Sequence, residues 1–208
     1  MANKMNLPNR LSVLRVCLVP LFMAAALFFR WSLSAEMIAR TVAAALFGAA
    51  AFTDFLDGKI ARKRGLVTDF GKFIDPLADK FMVFGACITL LVIDSKIASV
   101  FVWVSAIVML RELAITSLRL VVVGKSGVVI AASFFGKCKT VSQIIAILIL
   151  FLEPVIAYVF SLLGLYGVAD FFSLRILSYI GMAVMTFTTV ASGIDYLRSY
   201  LPHIDTNK

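Results

Sequence analysis

Apolar stretches of about twenty residues recur along the whole chain, each long enough, wound as a helix, to cross the roughly 30 Å hydrocarbon layer of a bilayer. A helix also satisfies its own backbone hydrogen bonds there. The pattern predicts six spans, near residues 10–29, 36–56, 70–93, 97–122, 140–163 and 172–197. Between them lie the polar breaks Arg30-Trp31-Ser32, Gly58 to Asp69, Asp94-Ser95-Lys96, Gly124 to Gly127 and Gly164 to Asp170. No internal repeat or low-complexity segment interrupts the series. The expected fold is all-α: one polytopic membrane domain over residues 1–208, with six transmembrane helices.

Composition supports the same solvent. Hydrophobic residues make up 62% of the chain and charged residues 15%, whereas soluble domains stand nearer half and a quarter. The net charge of +8 sits in short basic tracts between apolar runs, a pattern of membrane topology and anionic headgroups rather than a nucleic-acid-binding face. Lys4 and Arg10 precede an apolar stretch containing Ala24 to Ala26, as in a secretory signal. The longer runs that follow favour an uncleaved first span. Cys17, Cys87 and Cys138 show no metal-like spacing and read as reduced packing thiols.

The basic residues also orient the chain. Lys4, Arg10, Lys59, Arg62, Lys63, Arg64, Lys125, Lys137, Lys139, Arg198 and Lys208 fall on one side; the other carries little beyond Arg30, Lys96 and Arg175. The positive-inside rule then places both termini and the 58–69 loop in the cytoplasm.

Chemistry concentrates around that loop. Asp54 and Asp57 are three residues apart at the end of the second span, and Asp75 and Asp79 four apart at the start of the third. Either spacing puts a pair on one helix face. The two spans are antiparallel and closely joined, so the pairs can meet at one level. Four facing carboxylates repel one another and resist insertion. Divalent cations relieve both problems, because carboxylate oxygens suit Mg²⁺ or Mn²⁺. Two such ions can bridge a diphosphate. The plainer reading, helix caps or pairs with Arg62, Lys72 and Lys80, accounts for one aspartate more readily than for four in this arrangement.

The segment from Asp54 to Asp79 reads D-x2-D-G-x2-A-R-x8-G-x3-D-x3-D and resembles the signature of the CDP-alcohol phosphotransferase family. The resemblance implies six membrane helices, a homodimer and a polar cavity open to the cytoplasm of a bacterial cell membrane. It implies that Asp54, Asp57 and Asp75 hold two divalent ions, Mg²⁺ or Mn²⁺, and that Asp79 both joins the metal site and deprotonates the acceptor hydroxyl. Gly58, Ala61, Arg62 and Gly71 would embrace the cytidine diphosphate. Further stretches are similar to bacterial phosphatidylglycerophosphate synthases: Asn6 to Arg15, Asp75-Pro76-Leu77-Ala78-Asp79-Lys80, Arg111-Glu112-Leu113 with Arg119, and Gly136 to Thr140 with Gln143. The implied substrates are CDP-diacylglycerol and sn-glycerol 3-phosphate.

A phosphorylated acceptor brings about two negative charges and needs cations beyond the metals. Arg111 and Arg119 on the fourth span, with Lys137 and Lys139 opening the fifth, are the candidates. Arg119, Lys137 and Lys139 also fit as topology anchors, and Arg111 as a partner for Glu112 or another buried acid. An inositol phosphate acceptor would need similar cations. The rival of another class, a divalent-cation transporter, more naturally places acids at the midplane and shows repeated halves. Glu153 and Asp170 are expected at loops or the interface on the far side, Asp195 in a local pair, and His203 in a solvated tail.

Overall fold

The computed structural model describes the backbone of residues 7–64, 69–126 and 134–200, and the side chains of 9–54, 71, 73–120, 122 and 134–200. The described residues form seven helices: α1 (Leu7–Phe28), α2 (Leu33–Arg64), α3 (Asp69–Ile93), α4 (Ser95–Ser126), α5 (Phe134–Leu162), α6 (Tyr166–Ser173) and α7 (Ile176–Tyr200). Six stretches are long and apolar enough to span a membrane: Asn9–Phe28, Leu33–Asp54, Phe73–Ile93, Ser95–Leu120, Phe134–Leu162 and Tyr166–Tyr200. The number of spans is as the hydropathy pattern predicts; their ends differ.

α2 continues to Arg64, so much of the tract expected as a polar break is helix. Lys and Arg are good helix formers, and a helix need not stop where the apolar layer does. Residues 65–68 lie outside the described residues. α4 likewise runs through Lys125 to Ser126, and α5 begins at Phe134 rather than near residue 140. The largest departure is the last span, which is broken into α6 and α7. Gly164 ends α5 with φ 74°, and the Leu165 amide donates back to the Phe160 carbonyl at 3.0 Å, a left-handed glycine cap. Arg175, at φ 61°, makes the second break.

α1 packs against α2 and α3, α5 against α2 and α7, and α4 against α3 and α7. Phe22, Phe47, Phe101, Phe151, Leu90 and Ile147 are buried in the shared core. Gly85 sets one close approach: a Cβ there would stand 2.8 Å from Val19 Cγ1, so the bare backbone of α3 admits α1. Outward, Phe28, Trp103, Leu110 and Phe187 are each more than 70% exposed, a surface suited to lipid rather than water.

Charge closes the bundle at the end remote from Asp54 and Asp79. Asp94, the single residue between α3 and α4, is buried and takes Arg40 Nη1 at 3.1 Å and Arg175 Nη2 at 2.6 Å on the same oxygen. Arg40 also donates to the Ile93 carbonyl at 2.8 Å and pairs with Glu36 at 3.1 Å. Glu153 corrects its expectation: it is 1% exposed, not interfacial. Its carboxylate caps α7, accepting the amides of Leu177 at 3.0 Å and Ser178 at 2.8 Å and the Ser178 hydroxyl, with Arg175 Nε 3.9 Å away. A carboxylate at a helix N-terminus satisfies donors that the helix cannot. Asp170 is exposed, but on helix α6 rather than in a loop.

Removing one partner from a buried ion group costs about 3–5 kcal/mol because the remaining charge is uncompensated. Arg175→Met should therefore lower the denaturation temperature of the purified protein markedly. An unchanged transition would mean that Arg40 alone neutralises Asp94.

Candidate active site

Arg15 stands in the apolar run of α1, and its side chain is wholly buried. Its Nη1 lies 3.0 Å from Asp54 Oδ1 on α2 and 2.6 Å from Asp79 Oδ1 on α3. One turn earlier on the same face, the Ser12 hydroxyl donates to Asp75 Oδ1. The acids that the sequence pairs along two helices are thus drawn together by a third. The carboxylates remain open on their other side: the Asp54 side chain is 37% exposed and that of Asp79 48%. Arg15 is the closed back of the cluster, and the acids face outward from it.

The donor chemistry fits a hard divalent cation. Carboxylates from two helices converge on one guanidinium nitrogen while keeping accessible faces. Among the described residues no three acids already converge as ligands. The side chain of Asp57 lies outside the described residues; the α2 backbone places it about one turn beyond Asp54. The side chains of Ala61 and Arg62, and the surroundings of Gly58, also lie outside them. Gly71 is buried in the first turn of α3.

A second cluster gathers from α4, α5 and α7. Glu112 accepts Lys139, which is buried, and stands 3.4 Å from Arg111 Nη1. Arg111 also donates to the Ser192 hydroxyl, and its guanidinium lies 5.4 Å from the centre of the Tyr196 ring. Arg119 approaches the same ring at 6.0 Å and donates to its hydroxyl at 3.4 Å. Gly193 lets α7 come close, since a Cβ there would meet Arg111 Cγ at 3.4 Å. The Arg111–Glu112 pair, the plainer alternative for Arg111, therefore exists, inside a larger group. Three cations stand against one carboxylate, and Arg111 Nε is buried with no hydrogen-bond partner among the described residues. That is a donor set for an anion.

The two clusters adjoin: α3, which carries Asp79, packs against α4, which carries Arg111 and Glu112, and against α5, which carries Lys139. Lys137 is not part of either. It is exposed and lines an apolar cavity of about 550 Å³ between α5 and α7, with Cys138, Val141, Ile145, Gly181 and Val184 among the walls. Two residues along a helix is about 200° of rotation, which is why Lys137 and Lys139 part company.

Sequence reasoning had assigned no role to Ser12, Arg15, Ser192 or Tyr196. An arginine inside an apolar run is itself a signal, because an isolated intramembrane charge is costly. Ser192 and Tyr196 carried none, being ordinary residues of an apolar helix until packing places them.

Residues 5–190 match the family model for CDP-alcohol phosphatidyltransferase. A CDP-diacylglycerol–glycerol-3-phosphate 3-phosphatidyltransferase of Bacillus subtilis (strain 168) is 42% identical over 178 residues, covering 81% of this chain and 89% of that protein. Its namesake in Salmonella paratyphi A is 35% identical over 183 residues, covering 86% of this chain and 94% of that protein. That of Pseudomonas fluorescens is 31% identical over 211 residues, covering 98% and 94% respectively. The chain belongs to the CDP-alcohol phosphatidyltransferase family.

Proposed function

We propose that this chain transfers the phosphatidyl group of CDP-diacylglycerol to sn-glycerol 3-phosphate, giving phosphatidylglycerophosphate and CMP. The observation that carries the reading is the adjacency of two unlike clusters, one on α2 and α3 and the other on α4 and α5, with α3 packed against both α4 and α5. One cluster offers acids suited to a metal-bound diphosphate. The other leaves two positive charges after Glu112 is counted, matching the roughly two negative charges of a phosphate monoester. The relatives' names point to the same pair of substrates.

Asp54, Asp57, Asp75 and Asp79 hold divalent ions, Mg²⁺ or Mn²⁺, whose charge when bound offsets that of the diphosphate. Gly58, Ala61, Arg62 and Gly71 surround the cytidine diphosphate. Arg111, Arg119 and Lys139 bind the acceptor phosphate, and Tyr196 spaces the two guanidinium groups. Asp79 accepts the proton of the glycerol 1-hydroxyl as its oxygen bonds to the lipid-side phosphorus. The bond from that phosphorus to the CMP oxygen breaks, and the electron pair leaves with CMP. Positioning and electrostatics supply most of the acceleration in such a transfer. Lys137 borders the α5–α7 cavity, whose apolar walls suit an acyl chain with its phosphate at the interface. The basic tracts orient the site to the cytoplasmic side of a bacterial cell membrane, and the homodimer belongs to the same proposal.

Asp79→Asn should cut CMP release by about 100-fold or more, with CDP-lipid binding largely kept. Unimpaired turnover in that variant would remove the base assignment. Arg119→Ala should raise the KM for glycerol 3-phosphate by about tenfold, the scale of a lost charge-assisted hydrogen bond, while leaving that for the lipid nearly unchanged. Equal changes in both would contradict an acceptor role. The reaction itself is tested with purified protein, CDP-diacylglycerol and Mg²⁺ or Mn²⁺, offering each acceptor separately. CMP release with glycerol 3-phosphate alone, abolished by chelator, is the expected outcome. Release with inositol phosphate instead would keep the chemistry and change the acceptor.

A further inference from the structure

Arg15 is an unusual residue to find where it is. A guanidinium among apolar helices is costly, and this one is wholly buried while Asp54 and Asp79, the acids it touches among the described residues, are 37% and 48% exposed. A group placed merely to neutralise Asp54 and Asp79 could approach from their open side, where solvent and substrate phosphate are also found. Arg15 instead comes from behind, on α1, at a level where the Ser12 hydroxyl also holds Asp75. The close approach of α1 to α3 at Gly85 makes that reach possible.

We propose that Arg15 is a positioning residue for the transfer: a built-in cation that aligns Asp79 and limits how tightly the acid centre takes a divalent ion. The inference rests on the reading of these aspartates as metal ligands. Two consequences follow from the geometry. With Oδ1 of Asp79 held at 2.6 Å, one carboxylate oxygen is anchored, which narrows the directions from which an acceptor hydroxyl can approach the group. A permanent positive charge in contact with two ligands also reduces the pull of the cluster on a divalent ion, by an amount that Coulomb attraction at this range makes large. Alignment and metal affinity therefore change in opposite directions when the charge is removed. A helix-packing role alone would move both the same way.

The test uses the full chain in detergent, titrated with Mn²⁺ by electron paramagnetic resonance, alongside CMP release at saturating Mn²⁺. Arg15→Gln should bind Mn²⁺ about tenfold more tightly and yet turn over about 100-fold more slowly. Arg15→Lys keeps the charge but not the planar fork, so it should return Mn²⁺ affinity close to the parent's with turnover only partly restored. Affinity and turnover falling together, or both unchanged, would overturn the inference. Should Arg15→Gln fail to fold, Arg15→Lys decides: parental affinity with turnover down at least about tenfold supports it, and parental turnover overturns it. If the parent binds no Mn²⁺, or Asp54→Asn binds it as well as the parent, the metal reading fails and takes this inference with it. Those results come from chains with Arg15 intact, so the two failures are distinguishable.

Discussion

A charge held among apolar helices must be neutralised where it lies, and the contact of Arg15 with Asp54 and Asp79 is the constraint on which this structure turns. It binds α1, α2 and α3 at one level. Without it, the acids of α2 and α3 would repel across the gap. The opposite end obeys the same rule with the signs exchanged. There an acid, Asp94, lies between two arginines, Arg40 of α2 and Arg175 before α7. The bundle is pinned by ions at both ends and filled with apolar side chains between.

This arrangement divides the labour of the bundle. α2 and α3 carry the acids, held from behind by Arg15 and Ser12 of α1; α4 and α5 carry the cations Arg111, Arg119 and Lys139, with Ser192 and Tyr196 of α7 against the two arginines. α7 owes its place to two features at opposite ends. Glu153 caps its start, and close packing at Gly193 brings Ser192 and Tyr196 onto Arg111 and Arg119 at its finish. The last span is thus part of the cation cluster rather than a passive wall. A site made of charged groups from five helices needs rigid registration, and buried ion pairs with shared partners provide it better than apolar contact alone, which tolerates sliding.

Much of this was legible before any coordinates. Hydropathy marks six spans because the bilayer requires long uninterrupted apolar runs, and the aspartate spacing marks a shared face because helical geometry has a fixed period. The ends were less legible. α2 runs through Gly58 to Arg64 because charged residues terminate an apolar layer but not a helix. The break at Arg175 has no cue of the glycine kind, and it depends on Asp94 and Glu153, distant in sequence, holding that side chain. Lys137 and Lys139 look equivalent on paper; only the facing of α5 sends one to Glu112 and the other to the apolar cavity. Glu153 was misplaced because its burial follows from the α6–α7 break, which hydropathy averages away.

The central claim is that the acids gathered by Arg15 form a divalent-metal centre facing the cation cluster. A crystal of the protein grown with Mn²⁺ and CDP-diacylglycerol, examined by manganese anomalous scattering, tests it most directly. The account predicts manganese bound by Asp54 and Asp79 together with Asp57 or Asp75, Arg15 still behind the acids, and the diphosphate on the side toward Lys139. Manganese bound elsewhere, with the diphosphate remote from these aspartates, would contradict it.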